Sequence, residues 1–190
     1  MDLAAESERP VMKQDSRDLE AELRREMEGE VRFDAYSKIL YSTDASIYQI
    51  EPIGVVIPRH KGDVAAAVRV AARYGVPLLP RGGGTSLSGQ TVGHALQIDF
   101  AKYMHNVMEL NTEEEWVRVQ PGLVQDQLNA YLRPRGFGFG PDTSSANRAT
   151  LGGMVGNNSA GSHSVIYGKT IDHTLELDVV LSDGSEAHFQ

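Results

Sequence analysis

A glycine-rich segment, Arg81–Thr91 (RGGGTSLSGQT), contains the residue types that hold phosphate groups in proteins, and is called the glycine loop below. From Gly84 it follows the phosphate-loop spacing G-x-x-x-x-G-K-T, but Gln90 stands where that motif has its lysine. A nucleoside-triphosphate site needs that lysine as a positive charge, and a helix directly after the loop. The residues that follow, TVGHALQIDF, predict a turn and a strand instead. The loop therefore does not predict a triphosphate site.

The G-x-G-x-x-G pattern of nicotinamide-binding folds fails as well, because a pattern begun at Gly82 places Leu87 at its last glycine. What remains is a run of small residues whose backbone N–H groups can converge on an anion. Thr85, Ser86 and Ser88 add hydroxyl groups. Such a cradle suits a pyrophosphate flanked by bulky groups, as in a dinucleotide cofactor. The alternative is a Gly/Ser turn without a ligand.

A second small-residue segment, Pro141–Thr170, holds five glycines, five serines and three asparagines. It packs poorly as a core, so its backbone polar groups need other partners, such as a ligand. Thr150 is predicted to cap a short helix that begins near Leu151 and points its N-terminus toward the same anion. The alternative is a long loop without a ligand, which is uncommon in compact domains unless it is functional.

Three elements before the glycine loop predict a parallel βαβ unit. Gly54–Ile57 is a short apolar run typical of a buried strand. A helix predicted to be capped by Asp63 and ended by Gly75 follows, and PLLP (77–80) forms the next strand. The glycine loop then lies at the carboxyl end of that strand, where open parallel sheets bind ligands.

The rest of the chain predicts short strands, one more helix and a hairpin. The helix carries an apolar stripe of Val124, Leu128, Tyr131 and Leu132 and ends at Gly136. The strands are ALQIDF (95–100), VMEL (107–110) and EWVRVQ (115–120), and the hairpin, LELDVVLSDGSEAHF (175–189), turns at Asp183–Gly184.

The first residues predict a helix outside the main domain. Residues 1–14 are expected to form a frayed lead, and a helix follows from Ser16 to Gly29. Its apolar stripe consists of Leu19, Leu23 and Met27. Residues 32–52 have no clean hydrophobic period and predict an irregular packed segment, called the connector below.

Composition excludes several classes of function. The 190 residues carry a net charge of -8, of which residues 1–30 contribute ten acidic and five basic side chains. Neither part has the basic surface that nucleic acid requires, so no nucleic-acid partner is predicted. There is no cysteine for a disulfide, a thiolate nucleophile or an iron–sulfur cluster, and no metal site is predicted. No segment predicts a transmembrane span or a signal peptide, which indicates a cytoplasmic protein.

In this order and spacing the motifs resemble the FAD-binding domain of the vanillyl-alcohol oxidase and p-cresol methylhydroxylase superfamily. The resemblance covers residues 47–190 and rests on GVPLLPRGGGTSLSGQ, GFGFGPDTSS, TLGGMVGNNSAG and YGKTIDHTLELDVVLSDG. The wording of the two glycine-rich segments is most similar to the glycolate oxidase and D-lactate dehydrogenase branch. The connector is similar to that of long bacterial members fused to an iron–sulfur segment.

The resemblance implies an α+β fold of the PCMH type, in which a small parallel α/β subdomain and a mainly antiparallel subdomain hold FAD between them. It divides the chain into an N-terminal helix and connector (1–46) and an FAD-binding domain (47–190), with the end of that domain and a cap domain expected beyond Gln190. The pyrophosphate would be held by Pro80, Arg81, Gly82, Gly83, Gly84, Thr85, Ser86, Gly89 and Gln90. The flavin half would be lined by Pro141, Asp142, Thr143, Ser144, Gly152, Gly153, Asn157, Ser159 and Gly161. Val179 or a neighbour would contact the adenine or ribitol end through backbone atoms.

The implied activity is that of a flavin-dependent oxidoreductase that oxidises a D-2-hydroxy acid, such as lactate, glycolate or 2-hydroxyglutarate, to the 2-oxo acid. Thr85 stands where covalently flavinylated relatives carry histidine, so noncovalent FAD is predicted. Substrate, electron acceptor and catalytic base would be engaged by the full-length protein, and this chain alone is expected to be inactive. Two alternatives stay open: a flavin reductase of a UDP-sugar enolpyruvate, and a folded module without cofactor that serves an interaction.

The six histidines predict no catalytic residue. His163 and His173 flank the YGKT segment and are the two that would approach a flavin, but neither has a partner carboxylate at a recognisable spacing. The other four are predicted to lie in strand ends or loops with structural or surface roles: His60, His94, His105 and His188.

Overall fold

A four-stranded sheet forms the framework of the first half of the chain. In the computed structural model, which describes residues 13–190, its strand order is β1-β2-β4-β3. Strand β1 (Glu30–Arg32) runs antiparallel to β2 (Gly54–Ile57), whereas β4 (Leu96–Asp99) pairs in parallel with both β2 and β3 (Leu78–Arg81). The predicted parallel strands are therefore confirmed. However, β4 lies between the two strands of the predicted βαβ unit.

Two helices share a buried core with this sheet. Helix α1 (Lys13–Glu26) packs on α3 (Lys61–Arg73), and their apolar side chains join those of β2 and β4 in one cluster. Leu19 and Leu23 of the predicted stripe are fully buried, and burial of one such side chain contributes about 1.5–3 kcal/mol. The helix ends at Glu26, before Gly29. Residues 1–12 of the expected lead lie outside the described residues.

The start of α3 differs from the prediction. The N-cap is His60, whose Nδ1 accepts a hydrogen bond from the Asp63 N–H at 3.3 Å. Asp63 lies in the first turn and is buried, and its carboxylate accepts from the backbone N–H groups of Glu28 (2.9 Å) and Arg59 (2.8 Å). The prediction that Asp63 is the N-cap is wrong, because its carboxylate accepts from the amide just before the N-cap and from that of Glu28, which lies 35 residues earlier.

The connector contains a helix that its sequence pattern did not indicate. Helix α2 (Ala35–Tyr41) begins after Asp34, whose carboxylate accepts from the Ser37 N–H at 2.8 Å. Tyr36 and Ile39 on this helix are exposed, so the apolar residues do not mark one buried face. The prediction of an irregular segment is therefore wrong for these seven residues.

Two antiparallel hairpins occupy the second half, and the second of them was predicted as a hairpin. Strands β5 (Val107–Asn111) and β6 (Trp116–Val119) form one, and β7 (Leu177–Val180) and β8 (Glu186–Phe189) form the other. The second hairpin turns at Gly184, whose φ of 84° lies in the left-handed region that glycine tolerates. Together with the parallel sheet, these hairpins confirm the predicted α+β class.

Helices α4 (Gln125–Leu132), α5 (Leu151–Asn157) and α6 (Ser164–Tyr167) complete the second half. Leu128 and Leu132 of α4 are buried in a second core cluster with Leu123, Leu151 and Met154, which confirms these two residues of the predicted stripe, whereas Tyr131 is exposed. Two short 3-10 helices follow α4 and α6, and Gly136 ends the first at a φ of 82°. None of the helices within residues 13–190 is long and apolar enough to cross a membrane.

Glu30 ties β1 to the turn after β4. Its carboxylate accepts from the ammonium of Lys102 and from the hydroxyl of Tyr103 at 2.5 Å. These two hydrogen bonds lower the pKa of Glu30 from 4.5 to about 2. Because the folded state lowers this pKa, the stabilisation is complete above pH 4.5 and is lost as the pH falls toward 2.

We therefore expect the free energy of unfolding to decrease between pH 4.5 and pH 2, and Glu30→Gln to remove part of this decrease. The carboxylate is partly exposed, so the loss at neutral pH should stay below about 1 kcal/mol. Urea unfolding at pH 3 and pH 7 measures both effects. Glu109→Gln, at an exposed position of β5, is the matched control and should keep the parent pH dependence. If Glu30→Gln also keeps it, the assignment is wrong.

Candidate cofactor site

The glycine loop presents a run of backbone donors without partners. The N–H groups of Gly82–Leu87 donate no hydrogen bond to any group of residues 13–190. Farther along, the Ser88 N–H donates to Ser86 Oγ at 3.2 Å and the Thr91 N–H to Asp44 Oδ2 at 3.4 Å, whereas the N–H groups of Gly89 and Gln90 donate no hydrogen bond within residues 13–190. Successive unpaired amides in a loop with a positive-φ glycine are the arrangement that binds anions.

The small-residue segment packs directly against this loop. A Cβ atom on Gly82 would lie 2.0 Å from Thr150 Oγ1, and one on Gly83 would lie 2.2 Å from the carbonyl oxygen of Arg148. Farther along, Gln90 Nε2 donates to Asn157 Oδ1 at 2.7 Å. The structure thus brings together the two segments on which the predicted site depends, and glycine is required where they meet.

Thr150 leaves a buried hydroxyl without a partner. It occupies the N-cap position of α5, as predicted, but its side chain makes no capping hydrogen bond. Its Oγ1 is buried and has no hydrogen-bond partner within the part of the chain that the structure describes. Such a group costs about 1–3 kcal/mol unless something satisfies it. An oxyanion held by the neighbouring amides would do so, so the residues present fit the pyrophosphate of a dinucleotide.

Gln125 holds the start of the small-residue segment in place. This side chain is 1% exposed. Its Nε2 donates to the carbonyl oxygen of Pro141, and its Oε1 accepts from Thr143 Oγ1 at 2.7 Å. Sequence reasoning missed Gln125, because a polar residue in the first turn of a helix is ordinarily exposed. The signal was its spacing, since Gln125 lies three residues before Leu128 and seven before Leu132, on the buried face of α4.

Asp142 joins the beginning of this segment to its middle. Its Oδ1 accepts from the backbone N–H of His163 at 3.0 Å, and Oδ2 lies 2.5 Å from His163 Nδ1 and 3.0 Å from Ser162 Oγ. The backbone hydrogen bond from His163 is the main cause that lowers the pKa of Asp142. A Cβ on Gly161 would lie 1.9 Å from the carbonyl oxygen of Asp142, so the chain segments touch at that glycine.

The histidine partners were not visible in the sequence. His163 does have a carboxylate partner, but Asp142 is 21 residues away and no helical or strand spacing relates the two. His173 places Nε2 at 2.6 Å from the carbonyl oxygen of Tyr167 and packs its ring edge-on against Phe139, with ring centroids 5.5 Å apart. The lack of a partner carboxylate, on which the exclusion of a catalytic role rested, therefore does not hold for His163.

Some predicted site residues have other contacts. The guanidinium of Arg81 donates to backbone carbonyl groups and not into the cradle. The Gly152 N–H donates to the Pro121 carbonyl oxygen at 2.8 Å, so it is already satisfied. Val179 lies in β7 opposite Ala187.

An apolar groove of about 1480 Å³ lies between α3, the first hairpin and β7, apart from the cradle. Of the predicted site residues it is lined by Pro80, Gly152 and Val179. The unpaired amides and the Thr150 hydroxyl lie outside it, so this groove and the cradle are different features of the molecule.

The fold and these residues match a known family. Residues 52–190 match the model of the FAD binding domain, which covers more than half of the chain. The chain belongs to this FAD binding domain family. FAD is accordingly its cofactor, and the segments that the model matches include both the glycine loop and the small-residue segment.

The chain spans between 15% and 32% of the length of two similar proteins. The chain is 47% identical over 150 residues to D-2-hydroxyglutarate dehydrogenase of Pantoea ananatis, covering 77% of this chain and 15% of that protein. It is 33% identical to the glycolate oxidase subunit GlcD of Bacillus subtilis, covering 77% of this chain and 32% of that protein.

Solved structures confirm the fold of the FAD binding domain. An alkyldihydroxyacetonephosphate synthase superposes with a TM-score of 0.80 at 22% identity, covering 97% of this chain and 36% of that one. p-Cresol methylhydroxylase superposes with a TM-score of 0.78 at 15% identity, covering 94% and 36%. These structures confirm the predicted PCMH-type fold, and the predicted superfamily is confirmed by the family match together with the similar sequences.

Gly83→Val should abolish FAD binding, because its side chain would collide with the Arg148 carbonyl oxygen and separate the two halves of the cradle. We expect FAD affinity to fall by at least tenfold, measured by quenching of flavin fluorescence on titration with protein. Gly138→Val is the matched control, since a Cβ there meets only Asn129 Oδ1 at 3.9 Å. Unchanged FAD affinity in a folded Gly83→Val protein would contradict the site.

Proposed function

We propose that this FAD binding domain is the cofactor-binding module of a flavin-dependent oxidoreductase that converts a D-2-hydroxy acid to the 2-oxo acid. The observation that carries the proposal is the run of unpaired amides in Gly82–Leu87, which lies against the buried, unpaired hydroxyl of Thr150. The similarity to a D-2-hydroxyglutarate dehydrogenase and to a glycolate oxidase subunit supports the substrate class. When bound, FAD supplies the hydride-accepting chemistry.

The backbone of the glycine loop provides the anion donors in this proposal. The N–H groups of Gly82–Leu87 bind the pyrophosphate, and the Thr150 hydroxyl donates to the same oxygens. These neutral donors are numerous, so no mobile lysine is needed and Gln90 can serve another role. That role is to join the loop to α5 through its hydrogen bond with Asn157.

The small-residue segment lines the flavin half of the site. Gln125 fixes Pro141 and Thr143, while Asp142 holds the turn at Gly161 through His163. These contacts fix the backbone of the segment. The polar groups of Ser144 and the backbone of the exposed residue Asn157 take no part in them. Gln125 and His163, which are not among the predicted flavin-side residues, thus help to hold the residues that are.

The FAD is held noncovalently. Thr85 carries a hydroxyl that is not a nucleophile at neutral pH, and the chain has no cysteine. We also propose the division into residues 1–46 and residues 47–190. No residue of the chain is proposed as catalytic base. Substrate contacts, the base and the electron-acceptor site belong to the full-length protein, since the dehydrogenase relative is several times longer than this chain.

Incubation with excess FAD followed by desalting tests the cofactor and its attachment. We expect a protein-bound flavin absorption band that moves entirely to the supernatant after acid precipitation. A band that stays with the precipitate would contradict noncovalent binding. A folded protein that remains colourless would contradict the site itself.

A chimera tests the reaction class. In the D-2-hydroxyglutarate dehydrogenase of Pantoea ananatis, the 150 aligned residues would be replaced by those of this chain. We expect the chimera to bind FAD and to reduce an acceptor dye with D-2-hydroxyglutarate at a rate within about tenfold of the parent, because cofactor positioning is retained. The same chimera with Gly83→Val, the control, should be colourless and inactive. A chimera that binds FAD but is reduced only by NADPH would overturn the proposal.

A further inference from the structure

The glycine loop is held from one side by residues that precede the family match. Residues 41–48 of the connector contact the loop, whereas the matched segment begins at residue 52. The family model therefore does not include the connector side of this contact.

Arg81 makes the central contact. Its guanidinium donates to the carbonyl oxygens of Thr43 (2.8 Å), Thr91 (3.1 Å) and Tyr41 (3.4 Å). Its Cζ also stands 5.3 Å from the centre of the Tyr41 ring. All these partners are neutral, and no carboxylate within residues 13–190 forms an ion pair with this side chain. The guanidinium thus holds carbonyl groups of the connector and of the glycine loop together.

Three further contacts fix the loop along its length. The Ala45 N–H donates to the Gly84 carbonyl oxygen at 3.0 Å. The Asp44 carboxylate accepts from Thr91 Oγ1 at 2.9 Å. Gly89 lies so near the Tyr48 ring that a Cβ would be 2.6 Å from its Cδ2.

The Ala45–Gly84 bond sets the direction of a cradle amide. In a trans peptide the carbonyl of one residue and the N–H of the next point to opposite sides. Because Ala45 holds the Gly84 carbonyl oxygen toward the connector, the Thr85 N–H points away from it. This is one of the six unpaired amides, and Gly84 itself has a φ of 63°. The connector therefore orients the Thr85 N–H without accepting a hydrogen bond from it.

We propose that Arg81 is a positioning residue, which organises the pyrophosphate cradle by clamping the connector to the glycine loop and does not bind the cofactor through its charge. The proposal deepens the function proposed above and rests on the same cradle. It assigns the residues before position 52 a part in cofactor binding. A charged residue beside an anion site can attract the anion or hold the surrounding backbone in place, and the proposal assigns Arg81 the second role.

Two substitutions of Arg81 separate these roles. Arg81→Lys keeps the charge but cannot reach three carbonyl groups, and Arg81→Met loses both. We expect both variants to weaken FAD binding by a similar factor, at least tenfold, with the same ionic-strength dependence as the parent. In hydrogen exchange without FAD, the amides of residues 43–48 should exchange faster in both. FAD affinity that survives in Arg81→Lys and is lost in Arg81→Met would overturn the proposal in favour of a charge effect.

Arg135 offers a matched control. Its guanidinium also donates to a carbonyl, that of Tyr131 at 2.5 Å, and stands 4.1 Å from the centre of that ring. Arg135→Lys and Arg135→Met should leave both FAD affinity and exchange at residues 43–48 at parent values. Equal effects at the two arginines would show a general loss of stability and would overturn the assignment.

Thr91→Val is a milder second variant in case the Arg81 variants do not fold. It removes only the hydroxyl bond to Asp44 and leaves Arg81 intact, so FAD affinity should fall by about two- to tenfold. Unchanged affinity and unchanged exchange at residues 43–48 would overturn the clamp. The exchange experiment contains no FAD, so a chain that fails to bind FAD but shows the expected exchange would overturn only the proposed function.

Discussion

The site depends on the parallel pairing of β4 with both of its neighbours. Strand β4 is buried, with Leu96 and Gln97 fully inaccessible, and it fixes the register of β2 and β3 on its two sides. Parallel strands end at the same edge, so the chain segments after β3 and β4 leave together. The Phe100 N–H donates to the Arg81 carbonyl oxygen at 3.2 Å, which fixes the point at which the glycine loop begins.

The second requirement is close approach between segments that lie about seventy residues apart. Gly82 and Gly83 touch Thr150 and Arg148 at distances that exclude a side chain. The loop is thus enclosed by the connector on one side and by the start of α5 on another. Its backbone has little freedom left, although it contains few hydrogen bonds of its own. Neighbouring segments, rather than internal turns, give this loop its shape.

Local signals in the sequence predicted most elements but not their neighbours. The helical stripe of Leu19 and Leu23 and the Asp183–Gly184 turn are short-range patterns, and both appear as predicted. The insertion of β4 between β2 and β3 leaves no such pattern, since nothing in a strand of four residues indicates which strand it pairs with.

In the candidate site, too, the segments could be predicted from the sequence but their contacts could not. Composition and motif order predicted that two small-residue segments form it. The pairing of Asp142 with His163 and the contacts of Gln125 and Arg81 arise from tertiary packing, which no spacing along the chain records. For Arg81 the residue was identified, but the direction of its side chain was beyond the reach of a motif.

The six unpaired amides also have a consequence for how long the protein survives in a cell. A ligand that binds these donors in the folded state alone links folding to ligand concentration by mass action. A ligand present at a hundred times its dissociation constant stabilises the folded state by about 2.7 kcal/mol, and one that is absent contributes nothing. Newly made chains would therefore be the form most open to proteolysis, and supply of the dinucleotide would set how much of the protein accumulates.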